Sequence, residues 1–124
     1  MPAIHAIELH DSTLAAMRRE DDALVLELRP AYVHRDGAGW SQDADLRLAG
    51  AIDAAVPIEL PLAIWDGALD TPEGSFDGLL PVPLEIAGQV RFACELVSGV
   101  RIDIAAAAFC IEMLGEARFI ESVA

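Results

Sequence analysis

The chain contains no lysine and no asparagine among its 124 residues, and its eight bases, all arginine, face 21 acids. A formal charge of −13 at pH 7 repels nucleic-acid phosphates and anionic membrane, and it suits a basic partner. The two missing residue types and the abundance of Ala, Arg, Gly and Asp are what a GC-rich coding sequence would produce, and that is the expected cause. Aromatic residues are scarce at 6%, with one tyrosine, Tyr32. The two cysteines, Cys94 and Cys110, form no C-x-x-C pair. Free buried thiols in a reducing compartment are therefore expected, not a disulfide framework. No apolar run approaches a membrane span, and no basic flank precedes an apolar stretch near the start. A cytoplasmic protein without a membrane or nucleic-acid partner is the expectation. The chain also lacks a G-x-S-x-G elbow, an H-E-x-x-H helix, a P-loop and a dinucleotide fingerprint. These absences point away from an enzyme and from any cofactor.

What the sequence does have is alternation. Hydrophobic residues reach 54%, which excludes disorder, and the length predicts one domain over 1–124 with a sizeable core. Leu24, Leu26 and Leu28 face one way in an extended chain, and Val25, Glu27 and Arg29 the other. Val56 to Ile64, Leu80 to Ile86 and Val90 to Leu96 repeat the device. Gly67, Gly78, Gly88 and Gly99 fall ten or eleven residues apart, a spacing that reads as turns of an antiparallel meander. The expected fold is all-β: an antiparallel sandwich or flattened barrel of about eight to ten short strands, with at most one short helix.

Locally, residues 3–9 read as a first strand leaving through His10, Asp11 and Ser12. Thr13–Arg19 pairs with Ala23–Arg29 through a turn at Asp21 and Asp22. Pro30 interrupts the ladder because it has no N–H to donate. Asp36, Gly37, Ala38 and Gly39 read as a flexible loop before a strand over Asp45–Ala51. The prolines of 56–64 demote its start to an edge or an extended connection. Asp66-Gly67 reads as a two-residue hairpin turn and Thr71–Gly74 as a β-turn. Strands follow at 79–86, Gln89–Val97 and Val100–Ala106. Residues 105–114 have helix propensity but continue as strand through Phe109, Ile111 and Met113 if a bulge shifts the register. Ala117–Val123 closes the sheet. Pro-bearing edge strands and the apolar fraction predict a closed homodimer.

Few residues suggest chemistry. His10 and Asp11 form the dipeptide that binds metal in HD phosphohydrolases, but those enzymes need helices that this chain does not offer. The competing reading is that Asp11 and Ser12 organise a turn through local backbone bonds. His5, His10 and His34 have no metal-ligand spacing, so no metal is expected. An N-terminal amine at Pro2 would need βαβ units that the pattern does not contain. The most site-like group is Trp40 beside the glycine-rich loop, with Tyr32 and His34 just before it. His10, Asp11, Tyr32, His34 and Trp40 are thus the candidate binding residues, and no catalytic residue is identified. The alternative role for Trp40 is a plug at one end of the barrel. Two functions stay open: a non-enzymatic binding protein with an acidic surface and a basic protein partner, or a small-ligand or metal-dependent enzyme working near His10, Tyr32, His34 and Trp40.

The segments LHDSTL (9–14), LVLELRPAYVHR (24–35), GWSQDADL (39–46), LLPVPLE (79–85) and LGEARFIE (114–121) resemble a group of small uncharacterised bacterial proteins nearly end to end. The chain departs from that pattern at 35–39, where a longer glycine-rich loop would precede the tryptophan. The resemblance implies no activity, cofactor or site. A shorter likeness, the early strand–HD–strand pattern, is similar to small acidic bacterial immunity proteins and implies an inhibitor-like role.

Overall fold

The structure is a computed structural model that describes residues 5–52 and 59–122. Pro2, residues 3–4 of the first expected strand, residues 56–58 and Val123 lie outside the described residues. Nine strands and no helix occur among the described ones: β1 (His5–Glu8), β2 (Thr13–Glu20), β3 (Ala23–Arg35), β4 (Ala38–Ala49), β5 (Leu62–Thr71), β6 (Gly74–Asp77), β7 (Leu79–Pro81), β8 (Glu85–Leu96) and β9 (Arg101–Ser122). No helix among these residues is long and apolar enough to cross a membrane.

All nine strands belong to one antiparallel sheet, in the order β2-β5-β8-β9-β4-β3-β1-β7. A further pairing of β2 with β3 closes a ring of six strands, and β6 adds to β5. The expected all-β sandwich or flattened barrel is thus present, with a ring of strands, but its connectivity is not a simple meander. Residues 5–49 form one set of hairpins and 62–122 another. Three seams join them: β4 against β9 from Ala49↔Ala108 to Ala38↔Ser122, β1 against β7 from Ala6↔Pro81 to Glu8↔Leu79, and β2 against β5 through only Thr13↔Ala63 and Leu14↔Leu62.

The strands are longer than expected: β3, β4 and β8 have 13, 12 and 12 residues, and β9 has 22. The three segments expected between 100 and 123 are one strand. Its inward residues change from Ile102, Ile104 and Ala106 to Phe109, Ile111 and Met113, and the ladder shifts between Ala87 and Val90 of β8. The bulge that decides between helix and strand at 105–114 is therefore real, with Gly88 at φ 139°.

The glycine spacing proves misleading. Only Gly99 turns a hairpin, between β8 and β9; Gly78 separates β6 from β7, and Gly88 sits in the β8 bulge. Asp66-Gly67 is not a turn either. β5 runs straight through it, with a register shift between Ile64 and Asp66. A Cβ on Gly67 would lie 2.9 Å from Leu9 Cδ1 and 3.1 Å from the Ala93 carbonyl oxygen, so close packing, not turning, requires glycine there. The flexible loop at 36–39 is likewise corrected. Asp36 and Gly37, both at positive φ (53° and 73°), make a two-residue hairpin turn of the kind that matches strand twist. Ala38 and Gly39 already belong to β4. The expected strand at 79–86 is broken into β7 and the start of β8.

Other expectations hold. Glu20↔Ala23 starts the β2–β3 hairpin at Asp21–Asp22. The β3–β4 ladder skips Arg29 and Pro30. Thr71 and Gly74 face each other across the turn at Pro72, with Thr71 Oγ1 donating to the Gly74 carbonyl at 2.8 Å. A single core cluster links Ile7, Leu26, Leu46, Leu80, Phe92 and Phe109 across both halves.

Candidate functional site

The five residues singled out from the sequence occupy three places. Tyr32 and His34 lie on the outer face of β3, because Val33 between them is buried. Glu8 of β1 is the cross-strand partner of Tyr32. Its Oε1 accepts from His34 Nε2 at 2.7 Å, and the two aromatic rings meet edge-on with centroids 5.2 Å apart. The Tyr32 hydroxyl donates to Glu121 Oε1 of β9 at 2.7 Å. That bond, with burial and the nearby charges of Glu121, Glu8 and Asp11, pushes the phenol up to about 12, so it stays protonated. Gly39 leaves room for the phenol, since a Cβ there would collide with the ring.

Trp40 faces the opposite way. Its partner across β3 is Val33 and across β9 is Phe119, and it packs against the core cluster. Its indole N–H donates to the Arg35 carbonyl at 3.1 Å, and the Arg35 guanidinium sits 4.3 Å from its ring centroid. Trp40 therefore shares no surface with Tyr32 and His34, although the three are close in sequence.

His10 and Asp11 form the corner between β1 and β2. His10 is exposed; its Nδ1 donates to the Trp65 carbonyl at 2.7 Å, and its ring meets the Trp65 indole edge-on at 5.3 Å. Asp11 lies 3.6 Å from His10 Nε2. No group of three or more metal-ligating side chains occurs among the described residues. Ser12 does more than organise a turn. Fully buried, its Oγ donates to the Glu8 carbonyl at 2.7 Å and accepts from Tyr32 N–H at 2.9 Å, while its carbonyl accepts from Ile64 N–H at 2.9 Å. One side chain thus pins β1 to β3 beside the short seam.

Cys94 and Cys110 are free, as expected, though Cys110 is only half-buried. Their ladder partners, Ile102 and Glu85, are far apart along β8 and β9. Burial pushes the Cys94 thiol up to about 12 and raises that of Cys110, which makes both poor nucleophiles.

The sequence did not single out the surface around Trp65. The β5 bulge turns two consecutive side chains, Trp65 and Asp66, outward; Ile64 before them and Gly67 after them point in. A visible signal was the change of apolar phase from Leu60, Leu62 and Ile64 to Leu69, which needs an odd residue between. Trp65 is 57% exposed. Beside it a trough of about 230 Å³ has Ala68 and Ala93 as its floor and Asp66, Asp77, Glu95 and Arg101 as its walls. Around it, where β6 and β5 lie beside residues 91–95 of β8 and 101–103 of β9, the outer face carries Asp66, Asp70, Asp77, Glu95 and Asp103 against Arg91 and Arg101. Both arginines are engaged, Arg91 with Asp103 at 2.7 Å and Arg101 with Glu95 at 3.7 Å. The Arg91 guanidinium holds Asp103 below its ordinary value. Asp66, Asp70 and Asp77 have no ion-pair partner among the described residues. No protein-family model matches the chain, and no curated protein or solved structure matches it significantly.

Proposed function

We propose that this chain is a non-enzymatic binding protein of the cytoplasm that engages a basic protein through its acidic outer surface. One observation carries the reading: the outer patch formed by β6, β5, residues 91–95 of β8 and 101–103 of β9 holds five carboxylates against two arginines that are already paired. Such a field attracts and orients a cationic partner, and it repels nucleic acid. An inhibitor-like role, as in acidic immunity proteins, is one form of this reading. The enzyme alternative gains less support, because His10, Tyr32 with His34, and Trp40 lie in three separate places. The test is fluorescence anisotropy of labelled basic, neutral and acidic peptides. Basic peptides should bind, with affinity falling as salt rises; equal binding of all three classes, or of none, would overturn the reading.

We also propose that the chain assembles as a pair of identical copies. The β9 edge beyond Ile111 has no strand partner on the β8 side among the described residues, and Phe119 and Ile120 are 59% and 47% exposed beside it. Light scattering should give twice the 13.2 kDa chain mass; a monomer at high concentration would contradict it.

A further inference from the structure

We propose that the trough beside Trp65 is the docking point for an arginine side chain of the basic partner; this rests on the reading above and names the residues that discriminate. The physical requirements for a guanidinium are a flat aromatic face, carboxylates at its edge and room for a planar group. The trough meets each of them. Trp65 is exposed, and it is fixed from behind: His10 bonds to its carbonyl and stacks edge-on against its indole. More than half of the Trp65 surface remains exposed. Asp66 and Asp77 line the concavity without cationic partners of their own, whereas Glu95 is shared with Arg101. Ala68 and Ala93 keep the floor low, so the depression is formed by short side chains and needs no rearrangement to open. Gly67 allows β5 to settle onto Leu9 and close against the β8 backbone at Ala93, which fixes the bulge and so the direction of Trp65.

Lysine would satisfy the carboxylates but not the indole face, because its ammonium is a compact, strongly hydrated point charge. The trough should therefore prefer arginine over lysine, while the rest of the acidic face treats the two alike.

The experiment compares matched peptides, one rich in arginine and one with lysine at every such position, on wild type, Trp65→Ala and Asp77→Asn. Wild type should bind the arginine peptide more tightly. Trp65→Ala should weaken that peptide about two- to fivefold, the effect of an exposed cation–π contact, and abolish the preference. Asp77→Asn should weaken both peptides and keep the preference. Trp65 is exposed, so melting temperatures should match wild type and exclude misfolding as the cause. If wild type binds both peptides equally, or Trp65→Ala keeps the preference, the trough assignment is wrong and the acidic-surface reading stands. If wild type binds neither peptide, both fail.

Discussion

Two outer faces of the same ring use arginine differently. On β2, β3 and β4, Arg18, Arg29 and Arg47 interleave with Glu20, Glu27 and Asp45. Arg29 reaches Asp45 at 2.9 Å, Arg18 reaches Glu27 at 2.6 Å, and Arg47 reaches Glu20 at 2.9 Å. The Arg47 and Arg18 guanidiniums hold Glu20 below the usual carboxylate range. Asp45 is 4% exposed, and Val25, also on this outer side, is fully buried with Arg18 and Arg47 as its cross-strand partners. The arginine stems cover apolar surface there while their heads neutralise acids. On β6, β5, β8 and β9 the same strand alternation places acids in excess around an exposed tryptophan. These six charges of the first face pair with one another; on the second, Asp66, Asp70 and Asp77 have no ion-pair partner among the described residues. Under the proposed function the first face is structural and the second is the binding surface.

The comparison can be broken first at the place where the two faces join. The β2–β5 seam has two rungs and depends on Ser12; the β4–β9 seam is a long ladder. Ser12→Ala should cost about 2–3 kcal/mol, because the Tyr32 N–H and the Glu8 carbonyl lose a buried partner. Denaturant titration checks this. A loss below about 0.5 kcal/mol, the range of ordinary surface substitutions, would mean that the short seam holds without it.

Tyr32 is the only tyrosine, so its ultraviolet titration is free of overlap from other phenols. The folded midpoint should lie at about 12, above the usual 10. The protonated phenol's contribution to stability is then complete below pH 10 and is lost as pH rises towards 12. Glu121→Gln should bring the midpoint down, since the Glu121 hydrogen bond is its largest cause. An unchanged midpoint would remove Glu121 from the account. A smaller effect is expected at the thiols: at mildly alkaline pH native Cys94 should resist thiol reagents, and Cys110, half-buried, should react slowly.

The sequence made the ring's inner lining legible and left its outer faces obscure. Period-two alternation names the core at Leu24, Leu26, Leu28, Leu46, Leu48, Phe92 and Leu96, all buried, because burial is a one-residue property that hydrophobicity reports. Glycine spacing reports turns but not close packing. At Gly67 the cause is a close approach of Leu9 and β8, a long-range contact that local sequence does not display. Trp40, Tyr32 and His34 are neighbours in sequence, yet strand alternation sends them to opposite sides of the sheet. Asp66-Gly67 has the sequence of a strand end, which hides Trp65, yet the chain makes a bulge there that aims the indole outward.

The most direct test of the two-face account is a paired measurement of Asp45→Asn and Asp77→Asn by chemical denaturation under identical conditions. Asp45 serves Arg29 and Arg18, whose side chains remain 28% and 38% exposed, so its loss should cost about 1–2 kcal/mol, below the cost of breaking a fully buried pair. Asp77 serves no cation among the described residues, and removing its charge should leave stability within about 0.5 kcal/mol of wild type or raise it slightly. Equal losses at the two positions would show that the faces do not differ and would contradict the account.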